Sequence, residues 1–106
     1  MMDMAMLRSI NQPEKIALTE HARLRLYERK IRISDIIRCI ETGEVIEQYN
    51  DDKPFPSCLI LGEDTEGKLF HTVVGSDTES LFLITAYYPD AGRWESGYKN
   101  RKETEK

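Results

Sequence analysis

The feature that most constrains this chain is a change of hydrophobic period at Gly43. Before it, apolar residues fall at helical spacing, with Ala22 and Leu26 on one side of a segment and Ile36, Ile37 and Ile40 on one side of the next. After it, short β-rich runs alternate or read almost wholly apolar between turn residues. Helical and strand side chains repeat at 3.6 and 2 residues, so one chain carrying both in sequence is an α+β domain.

The first helix is expected over about Glu20–Lys30, with Thr19 as its cap, and the second over about Asp35–Thr42, capped by Ser34 or Asp35. Gly43 stands where a left-handed helix stop is expected. Four strands follow, at Val45–Tyr49, Phe55–Leu61, Leu69–Gly75 and Leu81–Tyr88, parted by Asn50–Pro54, Gly62–Lys68 and Ser76–Glu79. Connections this short favour hairpins. The expected architecture is therefore two N-terminal helices packed on a four-stranded, mostly antiparallel sheet.

With 106 residues the chain holds one domain, placed at 16–98. Residues 1–15 read as a flexible or partly helical arm, and 99–106 as a charged tail. Cys39 and Cys58 each lie among apolar residues, which suits reduced, buried thiols. Without a clustered His/Cys pattern, neither a metal nor another cofactor is expected. Nor is there a signal-like N-terminus or an apolar run near the roughly 20 residues that span a bilayer. The expected location is cytoplasmic.

A net charge of −4 hides a strong asymmetry. Arg23, Arg25, Arg29, Lys30, Arg32 and Arg38 crowd the helices, whereas Glu41 to Glu66 is acidic apart from Lys53. Local potential, not the average, decides where an anion docks. The two zones could also join two copies as a homodimer.

Two groups could carry chemistry. His21, Arg25 and Arg29 recur every fourth residue, so they form a stripe on one helix face. Guanidinium groups there suit phosphate, or ion pairs with the acids of the sheet segment. His71 in the third strand can neighbour Thr85 or Tyr87 in the fourth if those strands pair. A histidine, a phenol and arginines suffice for acid–base cleavage of RNA. A half-buried histidine with tyrosines packed for shape is the competing reading. Lys99, Arg101 and Lys102 could reach a phosphate backbone or form a solvated end.

The ordered set Thr-Glu-His-Ala (19–22), Arg25, Glu-Arg-Lys-Ile (28–31), Gly-Glu-Val-Ile-Glu (43–47), Asp-Asp-Lys-Pro-Phe-Pro-Ser (51–57), Leu-Gly (61–62), His71, Ile-Thr-Ala-Tyr-Tyr-Pro (84–89) and Trp94 resembles the bacterial domain-of-unknown-function family 4258. The resemblance runs from about Ile16 to Arg101. It implies a RelE/barnase-like fold and the toxin half of a toxin–antitoxin pair, an endoribonuclease beside a zinc-finger antitoxin-like protein. It also implies site residues at His21, Arg25, Arg29, His71 and Tyr87, with Thr85 and Arg101 contacting RNA. The alternative is a non-catalytic module that binds a partner protein.

Overall fold

A computed structural model describes residues 2–102, and the charged positions 103–106 of the expected tail lie outside them. Among the described residues three α-helices and five strands follow one another. Helix α1 spans Met4–Ser9, a 3₁₀ turn Pro13–Lys15, strand β1 Ile16–Leu18, α2 Glu20–Arg29 and α3 Ile33–Thr42. Strands β2 (Glu44–Tyr49), β3 (Ser57–Glu63), β4 (Leu69–Ser76) and β5 (Leu81–Tyr87) come next. They lie side by side in the order β1-β5-β4-β3-β2.

The α+β class holds, but the sheet is mixed and five-stranded. The extra strand is Ile16–Leu18, which pairs parallel to Leu81–Leu83. Three residues are too few to display a period, and their partner lies 65 positions away, so the sequence does not announce it. The third helix is α1, in the segment expected to be an arm. Asp3 accepts from the Met6 N–H at 2.8 Å to cap it. Leu7 is fully buried, and Arg8 donates to the Ile40 and Gly43 carbonyls at 3.1 and 2.9 Å.

Thr19 caps α2 as expected, its hydroxyl accepting from the Ala22 N–H at 3.0 Å. Only Ala22 and Leu26 of this helix are buried. Helix α3 starts earlier than expected, at Ile33 with Arg32 as its cap residue. Asp35 sits one turn in and accepts from the Arg32 N–H at 2.9 Å. Its other oxygen holds the Thr65 N–H and hydroxyl, at 2.9 and 2.8 Å, tying the β3–β4 turn to the helix.

Gly43 is not left-handed; its φ of −100° is open to any residue. Space is the constraint instead. A Cβ there would lie 2.5 Å from the carbonyl oxygens of Cys39 and Leu61. Gly62 is tighter still, at 2.3 Å from the Cys39 oxygen. These two glycines let α3 lie directly on β3.

Strand β3 begins at Ser57 rather than Phe55, since prolines at 54 and 56 lack the N–H that a ladder needs. The helix side of the sheet carries Cys58, Ile60, Phe70, Val74, Leu81, Leu83 and Ala86, all in one core with Ile36, Cys39 and Ile40. Burial pushes both thiols up to about 12, so they stay protonated and inert. No helix among the described residues is long and apolar enough to cross a membrane.

Candidate functional site

The other side of the sheet is built by alternation. Phe70 points to the helices, so His71 points away. Pairing places Leu61 and Tyr87 on either side of His71, and Leu59 and Thr85 on either side of Val73. A bulge at Ile84 shifts the register of β5, so that Thr85 and Tyr87 share this face with Phe82. Glu47 and Tyr49 of β2 extend the same face through their partners Leu59 and Ser57.

A C-terminal hairpin covers the middle of this face. Trp94 and Arg101 pair across it, and Trp94 is 4% exposed. The indole meets the His71 ring edge-on, with centroids 4.4 Å apart. Tyr98, in the left-handed region at φ 61°, turns its carbonyl to the imidazole Nε2 at 2.8 Å. Arg101 lies over the Trp94 ring and makes two bonds to Glu47, at 2.8 and 3.1 Å. Lys99 pairs with Glu44 at 3.0 Å. The hairpin is thus a cationic strap on an acidic strand. Its hydrogen bond from Arg101 holds the Glu47 carboxyl below the usual carboxylate range.

His71 is fully buried, with Tyr87 Oη 3.3 Å from its Nδ1. A carbonyl can only accept, so Nε2 carries the ring proton and donates to Tyr98. That leaves the Nδ1 lone pair to receive the Tyr87 hydroxyl. Burial pushes the imidazole below its ordinary value, and Tyr87 above its own. The pair is a neutral base hydrogen-bonded to a neutral acid.

Arg29, the last residue of α2, reaches the sheet where β1 ends. Its Nη1 donates to Thr85 Oγ1 at 3.1 Å and to the Ala86 carbonyl at 2.8 Å. Both bonds use one nitrogen; among the described residues Nη2 and Nε make none. The contact also blocks an otherwise open stretch of strand edge.

Five of the seven expected site residues therefore gather on or beside one face: His71, Tyr87, Thr85, Arg29 and Arg101. The other two stay apart. Arg25 is exposed and pairs with Glu28 at 3.3 Å. His21 is exposed two turns before Arg29, about 12 Å along the helix axis. It lines a surface groove with Leu24 and Tyr27. The stripe exists, but only its last member touches the sheet.

Two contributors escaped the sequence reading. Glu47 anchors the strap, and its period-2 spacing to Tyr49 was the available signal. Tyr98 acts through a backbone carbonyl, for which no side-chain pattern exists. Among the described residues, no three His, Cys, Asp or Glu side chains are placed to share a metal ion.

No curated protein and no solved structure gives a significant match to the chain. The match to a family model ends at Tyr88, so the strap lies beyond it. That model, Domain of unknown function (DUF4258), covers residues 18–88, well over half the sequence, and the chain belongs to this family.

Proposed function

We propose that this domain is a metal-independent endoribonuclease whose chemistry belongs to the His71–Tyr87 pair. The observation that carries the reading is the hydrogen bond between imidazole and phenol on a sheet face flanked by the Arg29 and Arg101 guanidinium groups. Cleavage needs one group to take the 2′-hydroxyl proton as its oxygen attacks phosphorus. A second gives a proton to the departing 5′-oxygen, leaving a 2′,3′-cyclic phosphate. His71 Nδ1 fits the first role and Tyr87 the second, with Arg29 set against the charge that builds on the phosphorane.

Substrate reaches His71 only after the strap moves, because Trp94 and Tyr98 occupy its far side. The strap is fastened by the buried Trp94, a two-bond Arg101–Glu47 pair and an exposed Lys99–Glu44 pair; the ion pairs could be exchanged for a phosphate backbone. A cytoplasmic toxin, held by a zinc-finger antitoxin-like partner, accords with the family resemblance.

The test is incubation of the purified chain with single-stranded RNA and analysis of the product ends. Cyclic phosphate ends are expected, with at least about a hundredfold loss of rate in Tyr87→Phe and His71→Gln. Intact RNA, together with unimpaired growth when the chain is induced without its neighbouring gene product, sinks the proposal.

One observation favours a second reading, a non-catalytic protein-binding module. His71 is wholly buried with both ring nitrogens engaged, as a purely structural histidine would be. On that reading a partner binds wild type and a His21→Ala/His71→Gln variant equally, and no activity exists to lose.

A further inference from the structure

Beyond the strap, the same sheet face stays open at its other end. Phe82 is the residue of β5 that shares a face with Thr85 and Tyr87, and the loop after β2 lays Phe55 against it. The two rings are stacked, with centroids 5.2 Å apart and planes 8° from parallel. Phe55 remains 37% exposed, and the bulged Ile84 beside it 48%. Together with Lys53 and Gly75 they line a cavity of about 300 Å³. Gly75 pairs with Phe82, and a Cβ at this position would stand 3.3 Å from the Pro56 oxygen and 3.9 Å from Ile84. The cavity thus has flat aromatic and aliphatic walls and a bare backbone floor.

Asp52 also lines this slot, where its carboxylate accepts from the Ser57 hydroxyl, while Lys53 is exposed at the rim. The positions along β5 supply the rest. Register places Phe82 opposite Gly75, Thr85 opposite Val73 and Tyr87 opposite His71. Each step is two residues of β4, about 7 Å. An aromatic slot, a hydroxyl bonded to a half-free guanidinium, and an imidazole–phenol pair therefore follow in a line. The spacing matches a base, the phosphate that follows it and the acid–base pair that would act on that phosphate. Exposed aromatic rings beside cations are how single strands are held without sequence readout.

We infer that the Phe55–Phe82 slot is a base-stacking subsite for single-stranded RNA, which sets one nucleotide so that the adjoining phosphate meets Arg29 and Thr85. This subsite extends the ribonuclease reading and takes its substrate class from it. An aromatic or proline side chain of a protein would fit the slot's shape, but not the guanidinium one step away.

The experiment measures binding of a fluorescent single-stranded nonanucleotide with 2′-O-methyl riboses, which cannot be cut, alongside cleavage of its all-ribose counterpart. Phe55→Ala is expected to weaken binding about tenfold or more, and Phe55→Tyr to restore it. Thermal melting of both variants checks that the fold is kept. Phe55-dependent binding without cleavage supports the slot and removes the nuclease. Cleavage by wild type with equal affinity in Phe55→Ala overturns the slot and leaves the nuclease. A proline-rich or aromatic peptide that binds in a Phe55-dependent way while the oligonucleotide does not also overturns it.

Discussion

The two faces of this sheet are both covered, and by opposite means. On one, α3 lies so close to β3 that Gly62 has no room for a methyl group, and the contacts are aliphatic. On the other, a hairpin of the C-terminal segment sets its indole against an imidazole and is held at its rim by ion pairs to β2. Both bury their central residues fully, His71 as much as Phe70. Burial alone therefore does not separate a core from a closed site. The chemistry of what is buried does, because a packed apolar interface has no second state, whereas ion pairs and hydrogen bonds can be traded for those of a ligand.

The largest effect that tests this contrast belongs on the helix face. Gly62→Ala forces a methyl group into the backbone of Cys39 and is expected to lower global stability by about 3 kcal/mol, read by denaturant unfolding. A loss below about 1 kcal/mol would show that α3 can yield, and would erase the difference between the faces.

Trp94→Ala is expected to cost less, about 2 kcal/mol, because it loosens a strap and leaves the helix-side core in place. It should also change a titration. His71 is held below its ordinary value by burial, so the unfolded chain binds its proton more readily. Native stability therefore falls as the pH drops below about 6.5 and on through the depressed folded value. Uncovering the ring should move its NMR-detected titration upward and flatten that acid loss. An unchanged His71 titration in Trp94→Ala would mean that the sheet, not the strap, seals the imidazole.

The smallest effect belongs to the strap's anchor. Glu47→Gln removes the partner of Arg101 and is expected to cost about 0.5 kcal/mol at low salt, fading near 1 M. Yet the same change should speed proteolysis within residues 93–102. A stable strap in Glu47→Gln would shift its attachment to Trp94 alone.

Much of this arrangement was legible in residues. Thr19 before a helical repeat and the β-branched runs after Gly43 follow from local spacing; His71 was expected beside Thr85 or Tyr87 if the strands paired, and the register chose Tyr87. The parallel strand at Ile16–Leu18 was not legible, because its identity lies in a partner far along the chain. Gly43 was read for its torsion angle and is needed for its size, a distinction only a neighbouring backbone can make. The charged stripe of α2 was real, but a helix face says nothing of which turn meets the sheet; only Arg29 does.

Amino-acid order alone determined the α+β class and the boundary between helical and strand halves, but not which side chains share a face across the bulge at Ile84. Class and boundary are properties of short-range periodicity, fixed by backbone geometry. Tertiary structure decided that a tail segment would return to cover His71, that Glu47 would hold it there, and that Phe55 would stack on Phe82. Each is a contact between distant positions, set by packing and pairing in three dimensions, on which spacing along the chain has no purchase.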